Sequence, residues 1–216
     1  QERYDLLKSH HATAEKRYYP LAQEVITGTY VGDYDYVLDL LDRCYFPTRE
    51  GVANFHDNFV DALILAGEEK IAEGKVEQAV TLYKKAFTYP ENHQVFLVDE
   101  RATHDAQINY CLGEAYAALG QDAEAEKYWK LAAEQDYELK GSKDFRYWTG
   151  LALERLGRKA EAEAIFSALV ADGEAAVVTQ HVNFYGAEGT TGVTVDIINS
   201  AAYYTQALGH LGLGHR

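Results

Sequence analysis

The acids and histidines are the side chains best equipped for chemistry in this sequence, and their spacing does not assemble a catalytic site. General acid–base work needs two carboxylates in one cleft with pKa values driven apart. Asp122, Glu124 and Glu126 fall instead at an apparent helix start, where negative charge complements the helix dipole. The adjacent His10 and His11 project from different sides of any helix and cannot share one metal. His56, His93 and His104 are spread along the chain and read as surface histidines. There is no GxSxG elbow, P-loop, HExxH or CxxC. Gly209-His-Leu-Gly212-Leu-Gly214 has the wrong glycine spacing for a dinucleotide turn. No catalytic residue, metal or cofactor is therefore expected. The chemistry that remains is recognition, and the chain holds 17 tyrosines for it. Such rings give large contact area at low entropic cost.

The elements that must carry these rings are helical and repeated. Three segments align on a glycine: Gly74, Gly120 and Gly157. Seven residues before each stands another glycine (Gly67, Gly113, Gly150), and five after each stands an alanine (Ala79, Ala125, Ala162). Nine after comes an aromatic (Tyr83, Trp129, Phe166), and twelve after comes Ala86, Ala132 or Leu169. The central glycine suits the left-handed turn that ends a first helix. The earlier glycine lets that helix approach the second, and the alanine sits where the two cross. The aromatic is expected to fill the gap between one hairpin and the next.

This pattern resembles the tetratricopeptide repeat (TPR), a 34-residue helical hairpin. Here 46 positions separate Gly74 from Gly120 and 37 separate Gly120 from Gly157, so helices or loops are longer than that norm. The resemblance implies an all-α, right-handed superhelical array of antiparallel hairpins. Residues 1–54 read as a degenerate first hairpin and loop, with a turn at Gly32, Leu41 and Cys44 at the later positions, and a first helix over roughly 13–29. Residues 55–171 hold the three clear hairpins. Residues 172–198 read as an irregular insertion with β-branched runs around Gly186-Ala-Glu-Gly-Thr-Thr-Gly192. Residues 199–216 read as the start of a further repeat, and the chain as a fragment of a longer protein.

In proteins that resemble this one, the first helix of each hairpin lines a concave groove. Ten before each turn glycine, the groove position falls on Ile64, Tyr110, Tyr147 and Tyr204, with Glu68, Glu114 and Glu154 beside it. Co-chaperone TPR domains place Lys, Arg and Asn there to hold a carboxylate, and this chain does not. Its groove suits a basic or aromatic peptide, or a sugar stacked on the rings.

A second resemblance is to the C-terminal TPR region of large uncharacterised bacterial proteins with an N-terminal β-rich, mutarotase-like region. It rests on Gly32-Asp-Tyr, Phe46-Pro-Thr-Arg-Glu-Gly51, Ala86-Phe-Thr-Tyr-Pro-Glu-Asn92 and Tyr110-Cys-Leu-Gly-Glu-Ala-Tyr116, with Thr48 and Val52 departing from the family pattern. The expected function is a non-catalytic scaffold for protein–protein or intra-protein domain interaction. The alternative is a carbohydrate-binding or accessory region of a sugar-active protein. A net charge of −14 opposes binding to phosphate backbones and anionic lipid surfaces, so neither nucleic acid nor membrane is an expected partner. Cys44 and Cys111 read as buried free thiols, which suits a reducing cytoplasm.

Overall fold

The computed structural model describes residues 1–47, 55–94, 104–135, 145–179 and 195–215, with the backbone alone for 195–198. After two short helices, α1 (Glu2–Ser9) and α2 (His11–Ala14), the chain forms successive hairpins. They pair α3 (Tyr18–Val31) with α4 (Tyr34–Arg43), and α5 (His56–Ala72) with α6 (Val76–Lys85). Next come α7 (Asp105–Ala118) with α8 (Asp122–Ala133), and α9 (Arg146–Arg155) with α10 (Lys159–Ala176). The last element is α11 (Val195–Gly212). Among the described residues there is no strand, and one parallel bridge joins Phe46 to His93. The fold is an all-α stack of antiparallel helix hairpins.

The turn that joins each pair is one device, used four times between paired helices and once more after α11. At Gly74 the backbone takes φ +74°, the Gly74 N–H donates to the Ile71 carbonyl and the Lys75 N–H donates to the Lys70 carbonyl. These two bonds satisfy carbonyls that the helix end leaves open, and the left-handed residue between them is inexpensive only as glycine. The same pair of bonds recurs around Gly32, Gly120, Gly157 and Gly214. The alanines five residues on, Ala79, Ala125 and Ala162, are fully buried.

The aromatic position has a second use besides the expected one. A Cβ on Gly67 would stand 2.2 Å from the Tyr83 ring, and the same holds within 2.3 Å for Gly113 with Trp129 and Gly150 with Phe166. Each ring therefore seats on the glycine of its own hairpin, and Tyr83 also lines a cleft with Cys111 of the next. Phe166 does both, because a Cβ on Gly212 of α11 would also meet it at 2.2 Å. Gly173 and Gly209 bring α10 and α11 backbone to backbone, which is the structural use of the glycine run near the chain end.

The first hairpin starts later than expected. Its first helix begins at Tyr18, and Pro20 occupies the first turn, where an N–H is not needed. Residues 2–14 form α1 and α2 and cap this hairpin. Tyr4 crowds Gly28 and donates to Asp33 at 2.7 Å, beside the Lys8–Asp33 ion pair. The fully buried Glu24 accepts from Tyr36 at 2.7 Å and lies 3.0 Å from His11 Nδ1. The linker after α6 folds back on α4, where Asn92 Nδ2 donates to the Leu41 and Cys44 carbonyls.

Between hairpins, the second helix of each packs on the first helix of the next, α4 on α5, α6 on α7, α8 on α9 and α10 on α11. The first helices α3, α5, α7, α9 and α11 also each approach the next, whereas among the described residues the backbones of α4, α6, α8 and α10 do not meet, and α6 reaches α4 through the Lys85–Asp42 ion pair at 2.6 Å. The first-helix layer is thus more closely spaced than the second-helix layer. The irregular segment expected over 172–198 overlaps α10, which runs to Ala176, and α11, which begins at Val195. Residues 180–194, including the expected glycine-rich turn, lie outside the described residues, as does 48–54 in the expected first loop.

Candidate functional site

The inner face built from α5, α7, α9 and α11 carries two clefts that share one wall, Trp148 of α9. The first has a volume of about 220 Å³ and lies between α5 and α7. It brings together three of the residues expected in the groove: Glu68, Tyr110 and Glu114. The second, of about 360 Å³, spans all four helices. Asp57 and Asp61 come from α5, His104 and Gln107 from the start of α7, Phe145 and Trp148 from α9, and Tyr204 and Leu208 from α11.

The other expected positions separate. Ile64 is only 2% exposed and packs in the core with Leu63 and Phe59, so it reaches no ligand. An isoleucine in that register sinks inward, while a tyrosine must keep its hydroxyl near a partner or water. Tyr147 lines neither cleft and leans on Trp148 and Phe166, with ring centres 5.4 and 5.9 Å away. Glu154 is exposed and lines neither. Tyr204 is 57% exposed on the wall of the second cleft.

Glu114 is already engaged. Arg155 of α9 donates to both of its carboxylate oxygens, at 2.8 and 2.6 Å, and Trp129 Nε1 donates at 3.1 Å. Arg155 also stands close to the Tyr110 hydroxyl. Burial pushes Tyr110 up to about 12, with the nearby Glu114 adding to the shift and Arg155 opposing it. Glu68, on the rim, has its carboxyl raised by desolvation. In the second cleft Asp61 is open to solvent yet walled by protein, and this desolvation raises its carboxyl while His104 opposes the shift.

The histidines are not surface residues as expected. His56, His93 and His104 are all buried, against Tyr89, the Phe46–Phe55–Phe59 cluster and Phe145 respectively. Among the described residues no three His, Cys, Asp or Glu side chains are grouped to hold a metal. Cys44 and Cys111 are buried free thiols, and burial pushes both up in pKa, to about 12 at Cys111. A thiol so held stays protonated and is a poor nucleophile.

Sequence reasoning missed Trp148, Asp57, Asp61 and His104. A signal existed: Asp61 and Gln107 stand thirteen residues before their turn glycines, one helical turn beyond the register that was counted.

Compared with family models and with curated protein sequences, the chain matches none. Among solved structures it is similar to one described as "Crystal structure of YrrB: a TPR protein with an unusual peptide-binding site". The identity is 14% and the TM-score 0.37, over 97% of this chain and 84% of that one. At that distance the architecture rests on the chain's own hairpins and turns.

Proposed function

We infer that the chain is a non-catalytic scaffold whose inner face holds a segment of a partner protein, or of another domain of its own polypeptide. The observation that carries this reading is Trp148, a tryptophan shared by two clefts on a face built from successive first helices. Aromatic anchors in clefts of this kind dominate recognition energetics. The partner is a peptide segment of basic or aromatic character, because Glu68, Asp57 and Asp61 rim the clefts and, among the described residues, no Lys or Arg lines the second. A cytoplasmic setting fits the two free thiols, and no described helix is long and apolar enough to cross a membrane.

The test is selection of peptides from a random library on the intact chain, followed by Trp148→Ala. Loss of roughly thirtyfold in affinity or more, with the melt preserved, supports the inner face. Unchanged affinity would move the site elsewhere. Rings beside Asp57, Asp61 and Gln107 also suit a stacked sugar, so an oligosaccharide array belongs in the same screen.

A further inference from the structure

The second cleft carries negative charge that the protein leaves largely uncompensated. Asp57 and Asp61 stand one turn apart on α5 and both line the cleft. Among the described residues no Lys or Arg lines it, and Asp61 has no ion-pair partner. Its cationic candidate is His104, whose Nε2 lies 3.5 Å from Asp57 Oδ1. His104 is 8% exposed, and its Nδ1 has no hydrogen-bond partner among the described residues. With Nε2–H facing Asp57, that Nδ1 is a buried acceptor without a donor.

The first cleft shows what such surroundings hold. At its edge the chain's own Arg155 holds a carboxylate, Glu114, in a two-point grip beside the Tyr110 hydroxyl. The second cleft repeats that chemistry, carboxylates beside rings, and has room for a long side chain at about 360 Å³.

We propose that the cleft between α5, α7, α9 and α11 is a pocket for an arginine side chain of a bound protein segment, gripped by Asp57 and Asp61 and flanked by Trp148 and Tyr204. The proposal rests on the inner face being the binding face, and specifies what it selects. A guanidinium offers five donors in a planar fork, which suits paired carboxylates and a lone imidazole acceptor. Its flat face stacks on indole and phenol rings, and its weak hydration lowers the cost of entry. The net charge of −14 draws a basic segment toward the face before contact.

The test uses the full chain with the Trp148 indole N–H resonance as reporter, assigned as the signal missing in Trp148→Phe. Two otherwise neutral short peptides are titrated, one with a single arginine and one with citrulline, its uncharged isostere, in its place. The expected result is saturable movement of the Trp148 signal, at least roughly tenfold tighter for the arginine peptide. Asp57→Asn/Asp61→Asn erases that preference, while Asp122→Asn/Glu126→Gln, an equal charge change on α8, keeps it. Equal affinities for the two peptides, or a preference that survives in Asp57→Asn/Asp61→Asn, overturns the pocket. Arginine-free library peptides that move the signal, with no response to the arginine peptide, overturn the pocket and leave the scaffold standing. Silence toward arginine and library peptides alike removes both, as does movement by oligosaccharides alone.

Discussion

The indole of Trp129 rests on the backbone of Gly113, so closely that a Cβ there would stand 2.3 Å from the ring's Cδ1. The contact is the hairpin's lock. A ring from the second helix drops into a notch left by a missing side chain on the first, and Tyr83–Gly67 and Phe166–Gly150 repeat it.

Gly113→Ala therefore sets two effects against each other. Alanine gains about 1 kcal/mol of helix propensity over glycine. The new methyl group meets the near edge of a wedged ring, and overpacking of that kind costs ~1–3 kcal/mol. We expect net destabilisation in urea unfolding, with a dispersed Trp129 emission change. A stabilised variant would show the ring can step aside.

Ala125 is fully buried at the crossing of α7 and α8. Ala125→Leu adds three carbons where none fit and should lower stability by ~1–3 kcal/mol. An unchanged melting temperature would mean that the crossing is looser than the burial indicates.

Arg155→Met removes the guanidinium from Glu114 and Tyr110. The Arg155 side chain is 51% exposed, so the stability cost should stay under about 1 kcal/mol. The first cleft would then hold a carboxylate with no arginine of its own. Titration with the arginine peptide should pass from one binding site to two, read by isothermal calorimetry, and a single site would separate the two clefts chemically.

Acid should weaken the fold through its buried histidines. Burial pushes His56 down to about 4, and His93 in the same direction. The unfolded chain, with imidazoles near 6.5, takes up protons before the folded one does. Stability at His56 is thus intact above about 6.5 and declines as pH falls toward 4, by roughly 2 kcal/mol at pH 5. Urea unfolding of His56→Phe at pH 7.5 and pH 5 should show a shallower loss than the unaltered chain. An equal loss in both would place the acid sensitivity elsewhere.

The positions that a single residue type must satisfy were legible in the sequence. A left-handed turn asks for glycine, a crossing of helices asks for alanine, and a notch asks for glycine with a ring to match, so the spacing around Gly74, Gly120 and Gly157 spelled out the hairpins. Positions set by how four helices lie together were not. Asp57 and Tyr204 share a cleft although most of the chain separates them, and only the stacking of α5 to α11 brings them there. The burial of Glu24 depends in the same way on His11 and Tyr36 arriving from other elements. Ile64 followed the repeat register correctly and still sank into the core, because register fixes a direction and side-chain chemistry decides the depth.

The layering has a mechanical consequence. Successive hairpins are joined where each second helix packs on the next first helix and along the first-helix seam, while among the described residues the backbones of α4, α6, α8 and α10 do not meet. Opening the outer edge therefore breaks little within that layer beyond the Lys85–Asp42 ion pair, and a small rotation at each seam adds to the next. Such a stack has the compliance of a coil spring, yielding by bending at every joint before any single hairpin gives way.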